Sequence, residues 1–118
     1  MNSNLDSLPP FSIIILNRNC RRELAECIQS IRDTVSSPDY EIIVVDNASN
    51  DGAREWLREQ RDVRLIENSV NKSFSEGNNQ GIRAAAPGND VMLLNNDTVL
   101  FPGAIDALRR GLYARPNT

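Results

Sequence analysis

At 118 residues, 40% hydrophobic and 25% charged, the chain has the size and balance of one soluble globular domain with an ordinary core. Thirteen basic against sixteen acidic residues leave a formal net charge of -3, and nowhere do Lys and Arg concentrate, which argues against nucleic acid as a partner. Histidine is absent, so a Ser-His-Asp triad, His-ligated zinc and a histidine general base are excluded within these residues.

No stretch approaches the roughly 20 apolar residues of a membrane span, and MNSNLDSLPP lacks the charged and hydrophobic regions of a signal peptide. Cys20 and Cys27 suggest neither a disulfide frame nor a zinc site, so a reducing cytoplasm is the expected location.

Residues 1–10 read as a flexible leader closing at Pro9-Pro10, and 11–118 as one α/β domain. FSIIIL (11–16) is the first predicted strand. Leu24, Cys27, Ile28, Ile31 and Val35 then follow the spacing of a helix with one buried stripe. EIIVV (41–45) is the second strand, and Ala53, Trp56 and Leu57 form a shorter helical stripe in which Trp56 belongs to the core. VRLI (63–66) is the third strand. A weaker helix over 75–86 contains Gly77 and Gly81, which serve either close packing on the sheet or room for a ligand. Ser73 and Glu76 stand at capping-box spacing at its start. VMLL (91–94) is the fourth strand, and Pro102 suits the first turn of a last helix carrying Ile105, Leu108 and Leu112.

Runs one, two and four are nearly continuous rather than alternating, the mark of strands covered on both faces. The alternation of strand and helix calls for an open parallel sheet with right-handed crossovers. In such sheets ligands bind beyond the carboxyl ends of the strands. Those ends read Asn17-Arg18-Asn19, Asp46-Asn47-Ala48-Ser49, Glu67-Asn68 and Asn95-Asn96-Asp97, a polar rim, although Asn and Asp are also favoured turn residues.

The sequence has no G-x-G-x-x-G after the first strand and no G-x-x-x-x-G-K-[ST], which removes the phosphate cradles of dinucleotide enzymes and P-loop NTPases. A diphosphate can instead be held through a divalent cation, and Asp97 is suited to Mg2+ or Mn2+. Asn96 can bond a sugar hydroxyl in either sense. Asp46 can accept from the ring N–H of uracil or thymine, or cap its own turn; Asp97 can likewise cap the turn leading to Pro102.

SIIILNRN, EIIVVDNASNDG, NKSFSEGNNQGI and LLNNDTVLFPGAI together resemble, in order and spacing, the nucleotide-binding half of family 2 inverting glycosyltransferases of GT-A fold, over roughly residues 11 to 112. Asn-Asn-Asp-Thr in place of Asp-x-Asp resembles the rhamnosyltransferase-like subgroup. The resemblance implies a Rossmann-like sheet ordered 3-2-1-4 and a separate acceptor half that this chain lacks. It further implies that Leu16, Asn17 and Arg18 border the base, Asp46 binds its ring N–H, and Asn96 reaches the ribose. Asp97 would hold the metal, and the helix opening at Ser73 would cover the nucleotide. Three positions depart from the family pattern. Arg18 replaces an aromatic residue, though its guanidinium plane can substitute; Ser73 replaces glycine; Asn96 replaces a carboxylate.

The expected function is the nucleotide-diphosphate-sugar-binding portion of a glycosyltransferase, taking a UDP- or dTDP-linked donor. Its acceptor would be a glycan or a lipid-linked, membrane-associated molecule in bacterial surface polysaccharide synthesis. The family's general base lies past the metal-binding strand, so no catalytic residue is nominated and the chain alone is expected to be inactive. The alternative is a non-catalytic nucleotide- or protein-binding module. Apolar surface left by the missing half would favour self-association.

Overall fold

Two runs rich in β-branched residues form the centre of the fold. In the computed structural model, which describes residues 8–36 and 39–113, β1 (Phe11–Asn17) and β2 (Tyr40–Asn47) lie side by side. β3 (Val63–Asn68) pairs with β2 and β4 (Asp90–Asn95) with β1, all parallel, in the order β3-β2-β1-β4. The helices are α1 (Arg21–Thr34), α2 (Ala53–Arg58), α3 (Phe74–Ala84) and α4 (Ala104–Tyr113). The open sheet and its 3-2-1-4 order are those expected. Of the expected leader, residues 1–7 lie outside the described residues.

The central strands are buried on both faces. Ile13, Ile15, Ile42 and Val44 meet Leu24, Cys27, Ile28 and Ile31 of α1, together with Leu57 and Ile105, while Trp56 is half-buried against this cluster. On the other face α3 lies close to the sheet because Gly77 and Gly81 have no side chain. A Cβ at Gly81 would collide with Ile14, and one at Gly77 with Leu16. Close packing is therefore the use the fold makes of both glycines.

Two expectations fail. β4 was to be covered on both faces, yet Val91 is 42% and Leu93 53% exposed, while Met92 and Leu94 pack against the core. The reason is position: β4 is an edge strand, and α3 packs across β1 and β2 rather than over it. The last helix begins at Ala104, after Pro102, and its buried face carries Ile105, Asp106 and Arg109, leaving Leu108 62% exposed. Polar anchors set that rotation. The Arg109 guanidinium stacks 4.2 Å from the Phe11 ring centroid and donates to the Pro9 carbonyl at 2.7 Å, and Asp106 accepts from Ser36 Oγ. The side chain of Leu112 lies outside the described residues.

The turn before β3 is tied to α1 by Arg32, which grips Asp62 with two bonds of 2.8 and 2.7 Å. The Arg32 hydrogen bond holds the Asp62 carboxyl below its ordinary value. Arg58 does the same to Glu67 across α2 and β3.

Gly81→Ala should lower stability by about 1–3 kcal/mol in urea denaturation, the cost of overpacking. Gly111→Ala, where a Cβ meets open space, should raise it slightly. For acid, both carboxyl groups have depressed values in the folded state, so their contribution is present above the unfolded values and lost as pH falls through the folded ones. Asp62→Asn should remove part of the stability difference between pH 5 and pH 2, by less than ~1 kcal/mol because the pair is partly exposed.

Candidate functional site

Parallel register brings the polar strand ends to one level: Asn17 pairs with Asp46, Asp46 with Glu67, Asn47 with Asn68, and Leu16 with Asn95. At this level Asp46 is 0% exposed. Its Oδ1 accepts from Asn17 Nδ2 at 3.0 Å and Ser49 Oγ at 2.7 Å, and its Oδ2 from Ser49 N–H at 3.0 Å. A buried carboxylate needs such donors, because an unpaired one is costly to desolvate.

The carboxylate also orients its neighbours. It can only accept, so it draws the amide nitrogen of Asn17 toward itself. Asn17 Oδ1 then accepts from Asn96 Nδ2 at 3.0 Å. Asn96 has its oxygen and its second N–H left to offer. The bond fixes which way the Asn96 amide faces and leaves it able to bond in either sense.

The turns after β1 and β2 are laced together above this relay. Asn19 (φ 51°) accepts from Asn50 N–H at 2.8 Å and donates its own N–H to Ser49 Oγ at 2.9 Å. Arg18 donates to the carbonyls of Asn47 at 2.7 Å and Ala48 at 3.2 Å, holding a turn in which Ala48 has φ 58°. Such a value is unusual for a residue with a Cβ and persists where the surroundings enforce it. An amide ladder joins the far side: Asn47 Oδ1 accepts from Asn68 Nδ2 at 2.8 Å, and Asn68 exchanges two bonds with Gln80. Asn47 Nδ2 donates to the Lys72 carbonyl, which fixes the loop before α3.

These elements enclose an open cavity of about 600 Å³. Its floor and walls include Leu16, Arg18, Asn47 and the run Leu93–Asp97, and its other side is Asn71–Phe74 with Asn78. Ser73 Oγ caps α3 by accepting from Glu76 N–H at 3.1 Å, so the helix start at that wall is as expected.

Of the expected site residues, Leu16, Arg18, Ser73, Asn96 and Asp97 therefore share one cavity. Asn17 and Asp46 do not line it. Both are fully buried beneath it, and the Asp46 oxygens are engaged by Ser49 and Asn17, the contacts of a turn cap. Asn47, one residue on, lines the cavity, as do Asn71, Lys72 and Asn78, which sequence reasoning did not nominate. The strand-end clustering pointed to Asn47; nothing in the spacing singled out Asn78.

Asp97 is exposed and, among the described residues, is the carboxylate on the cavity wall. No group of three or more His, Cys, Asp or Glu gathers among the described residues. A lone exposed carboxylate nevertheless fits Mg2+ or Mn2+ of the kind held by one or two carboxylates, with substrate phosphates and water completing the shell.

The sequence profile of glycosyl transferase family 2 matches residues 12–116. The chain belongs to glycosyl transferase family 2. Among its relatives, EpsE of Bacillus subtilis is 32% identical over 107 residues, covering 86% of this chain and 38% of EpsE. The low-salt glycan biosynthesis hexosyltransferase Agl10 of Haloferax volcanii is 31% identical over 93 residues, covering 76% of this chain and 28% of Agl10. The chain thus spans well under half of the length of these relatives. Among solved structures, S. aureus TarS 1-349 superposes with a TM-score of 0.75 at 19% identity, covering 90% of this chain and 33% of that one. The mannosyltransferase PcManGT of Pyrobaculum calidifontis, in complex with GDP-Man and Mn2+, superposes with a TM-score of 0.74 at 26% identity, covering 93% of this chain and 33% of its own. These neighbours share the GT-A arrangement of a parallel sheet flanked by helices.

Asp46→Ala in this family 2 domain should cost about 2–4 kcal/mol in chemical denaturation, since it strands three buried donors. A loss below ~1 kcal/mol would contradict the role given to the relay.

Proposed function

We propose that this chain is the donor-binding portion of an inverting glycosyltransferase that uses a UDP- or dTDP-linked sugar with Mg2+ or Mn2+. The observation that carries this reading is the cavity at the carboxyl ends of the strands, in which an exposed Asp97 adjoins an Asn96 whose amide is oriented by Asn17. Membership of family 2 supports the reaction class.

In this reading Leu16, Arg18 and Asn47 border the nucleobase, with Arg18 offering a guanidinium plane where it is already pinned over the β2 turn. Asn17 and Asp46 act from beneath, by holding Asn96. Asn96 Oδ1 accepts a hydrogen bond from a ribose hydroxyl, and Asp97 holds the cation. When bound, the cation neutralises charge on the departing diphosphate. Ser73 and Phe74, at the start of α3, cover the nucleotide from the side. The base that activates the acceptor hydroxyl belongs to the acceptor half, beyond these residues. That half would present a glycan or lipid-linked, membrane-associated acceptor of a bacterial surface polysaccharide. The names of the relatives support glycan synthesis, and Asn-Asn-Asp-Thr supports the rhamnosyltransferase-like subgroup. The two free cysteines and the lack, among the described residues, of a helix long and apolar enough to cross a membrane support a cytoplasmic site of action.

A second reading, a module that binds partners or itself through its sheet edge, is favoured by the exposed Val91 and Leu93 on β4. Calorimetric titration of UDP and dTDP with and without Mn2+ separates the two. The donor-site reading expects Mn2+ to tighten binding about tenfold or more, and Asp97→Ala to abolish that gain. Equal affinity with and without metal would defeat the role of Asp97. No nucleotide affinity, combined with concentration-dependent association on size-exclusion chromatography, would favour the second reading.

A further inference from the structure

The segment that carries Asp97 has no ladder of its own beyond Asn95, and besides the Asn96–Asn17 bond it is fastened by one turn of α1. Cys27 Sγ–H donates to the Asn95 carbonyl at 3.7 Å. Leu100 N–H donates to Ser30 Oγ at 3.0 Å, while the same hydroxyl donates to the Cys27 carbonyl at 2.7 Å. Cys27 and Ser30 are both buried, so each hydroxyl or thiol is committed to these partners. Asp97 lies between the two fastened points, exposed, and no side-chain bond to its carboxylate is seen among the described residues.

Resting on the donor-site reading above, we infer that Cys27 and Ser30 are positioning residues, which place the Asp97 carboxylate for the cation by clamping the backbone on either side of it.

Serine is a poor filler for the core face of a helix, where a hydroxyl must find partners. Here it supplies the acceptor for a main-chain N–H that no strand partner takes. The environment of Cys27 agrees with close approach. Burial, and next the Asp97 carboxylate, push its thiol up to about 11, opposed by the Thr98 N–H. The thiol therefore stays protonated near neutrality and keeps its donor. Neither residue lines the cavity, so both act through the turn.

The test uses the whole chain and four proteins: wild type, Ser30→Ala, Cys27→Ala, and Thr34→Ala as a control. Thr34 Oγ1 bonds only within α1, to the Ser30 carbonyl at 2.6 Å, and does not touch the 95–100 segment. Two quantities are read: amide exchange at Thr98 and Leu100 with no ligand, and the ratio of UDP affinities with and without Mn2+. Ser30→Ala should speed Leu100 exchange about tenfold and shrink the Mn2+ gain about three- to tenfold, with metal-free affinity unchanged. Cys27→Ala should act in the same direction at Thr98, and Thr34→Ala should alter neither quantity.

Unchanged exchange and an unchanged ratio in both variants would overturn the inference. So would equal losses with and without Mn2+, the mark of general destabilisation. A wild type with no Mn2+ gain would remove the donor-site reading and the positioning role with it, even where exchange shows the clamp itself.

Discussion

A carboxylate sealed from water sets the polarity of the rim. Asp46 can only accept, so Ser49 and Asn17 turn their donors inward, and Asn17 in turn fixes the amide of Asn96. Two turns that follow different strands are thereby locked to one another through a single negative charge. Without it, Asn17 and Asn96 could each adopt either amide orientation, and the cavity would present a mixture of donors and acceptors. The cost of burying the charge is offset locally by three hydrogen bonds, and the result is an amide of fixed orientation beside Asp97.

The sheet supplies the precision for this arrangement. β1 and β2 are buried on both faces by α1 and α2 on one side and α3 on the other, and the close approach of α3 depends on Gly77 and Gly81. Both strands therefore end at fixed heights, and the residues beyond them need only short side chains to meet. The exposed edge at β4 belongs to the same picture. A chain about a third as long as its structural neighbours has α3 across its middle strands and nothing over Val91 and Leu93 among the described residues.

Much of this was legible in the residues. Continuous Ile and Val runs fixed β1 and β2 as central strands, and Ser73 with Glu76 marked the start of α3. Clustered Asn and Asp at three strand ends located the cavity, and family membership followed from motif order. Three features were not legible. The half-open state of β4 depends on sheet order and on where α3 lands, which VMLL does not encode. The rotation of α4 comes from Arg109 meeting Phe11 and Pro9, contacts distant in sequence. The seat of the Asp97 turn on α1 is hidden because Cys27 reads as an ordinary member of an apolar stripe.

The central claim is that the strand-end cavity gathers a nucleoside diphosphate and its cation at Asp97. Paramagnetic broadening of backbone amide signals on adding substoichiometric Mn2+ to the UDP-saturated protein tests it most directly. The account predicts that Asn96, Asp97 and Thr98 broaden first, with the Asn71–Ser73 wall next. Sharp signals there, with broadening centred on the exposed acids Glu55 and Glu59 of the α2 region, would contradict it.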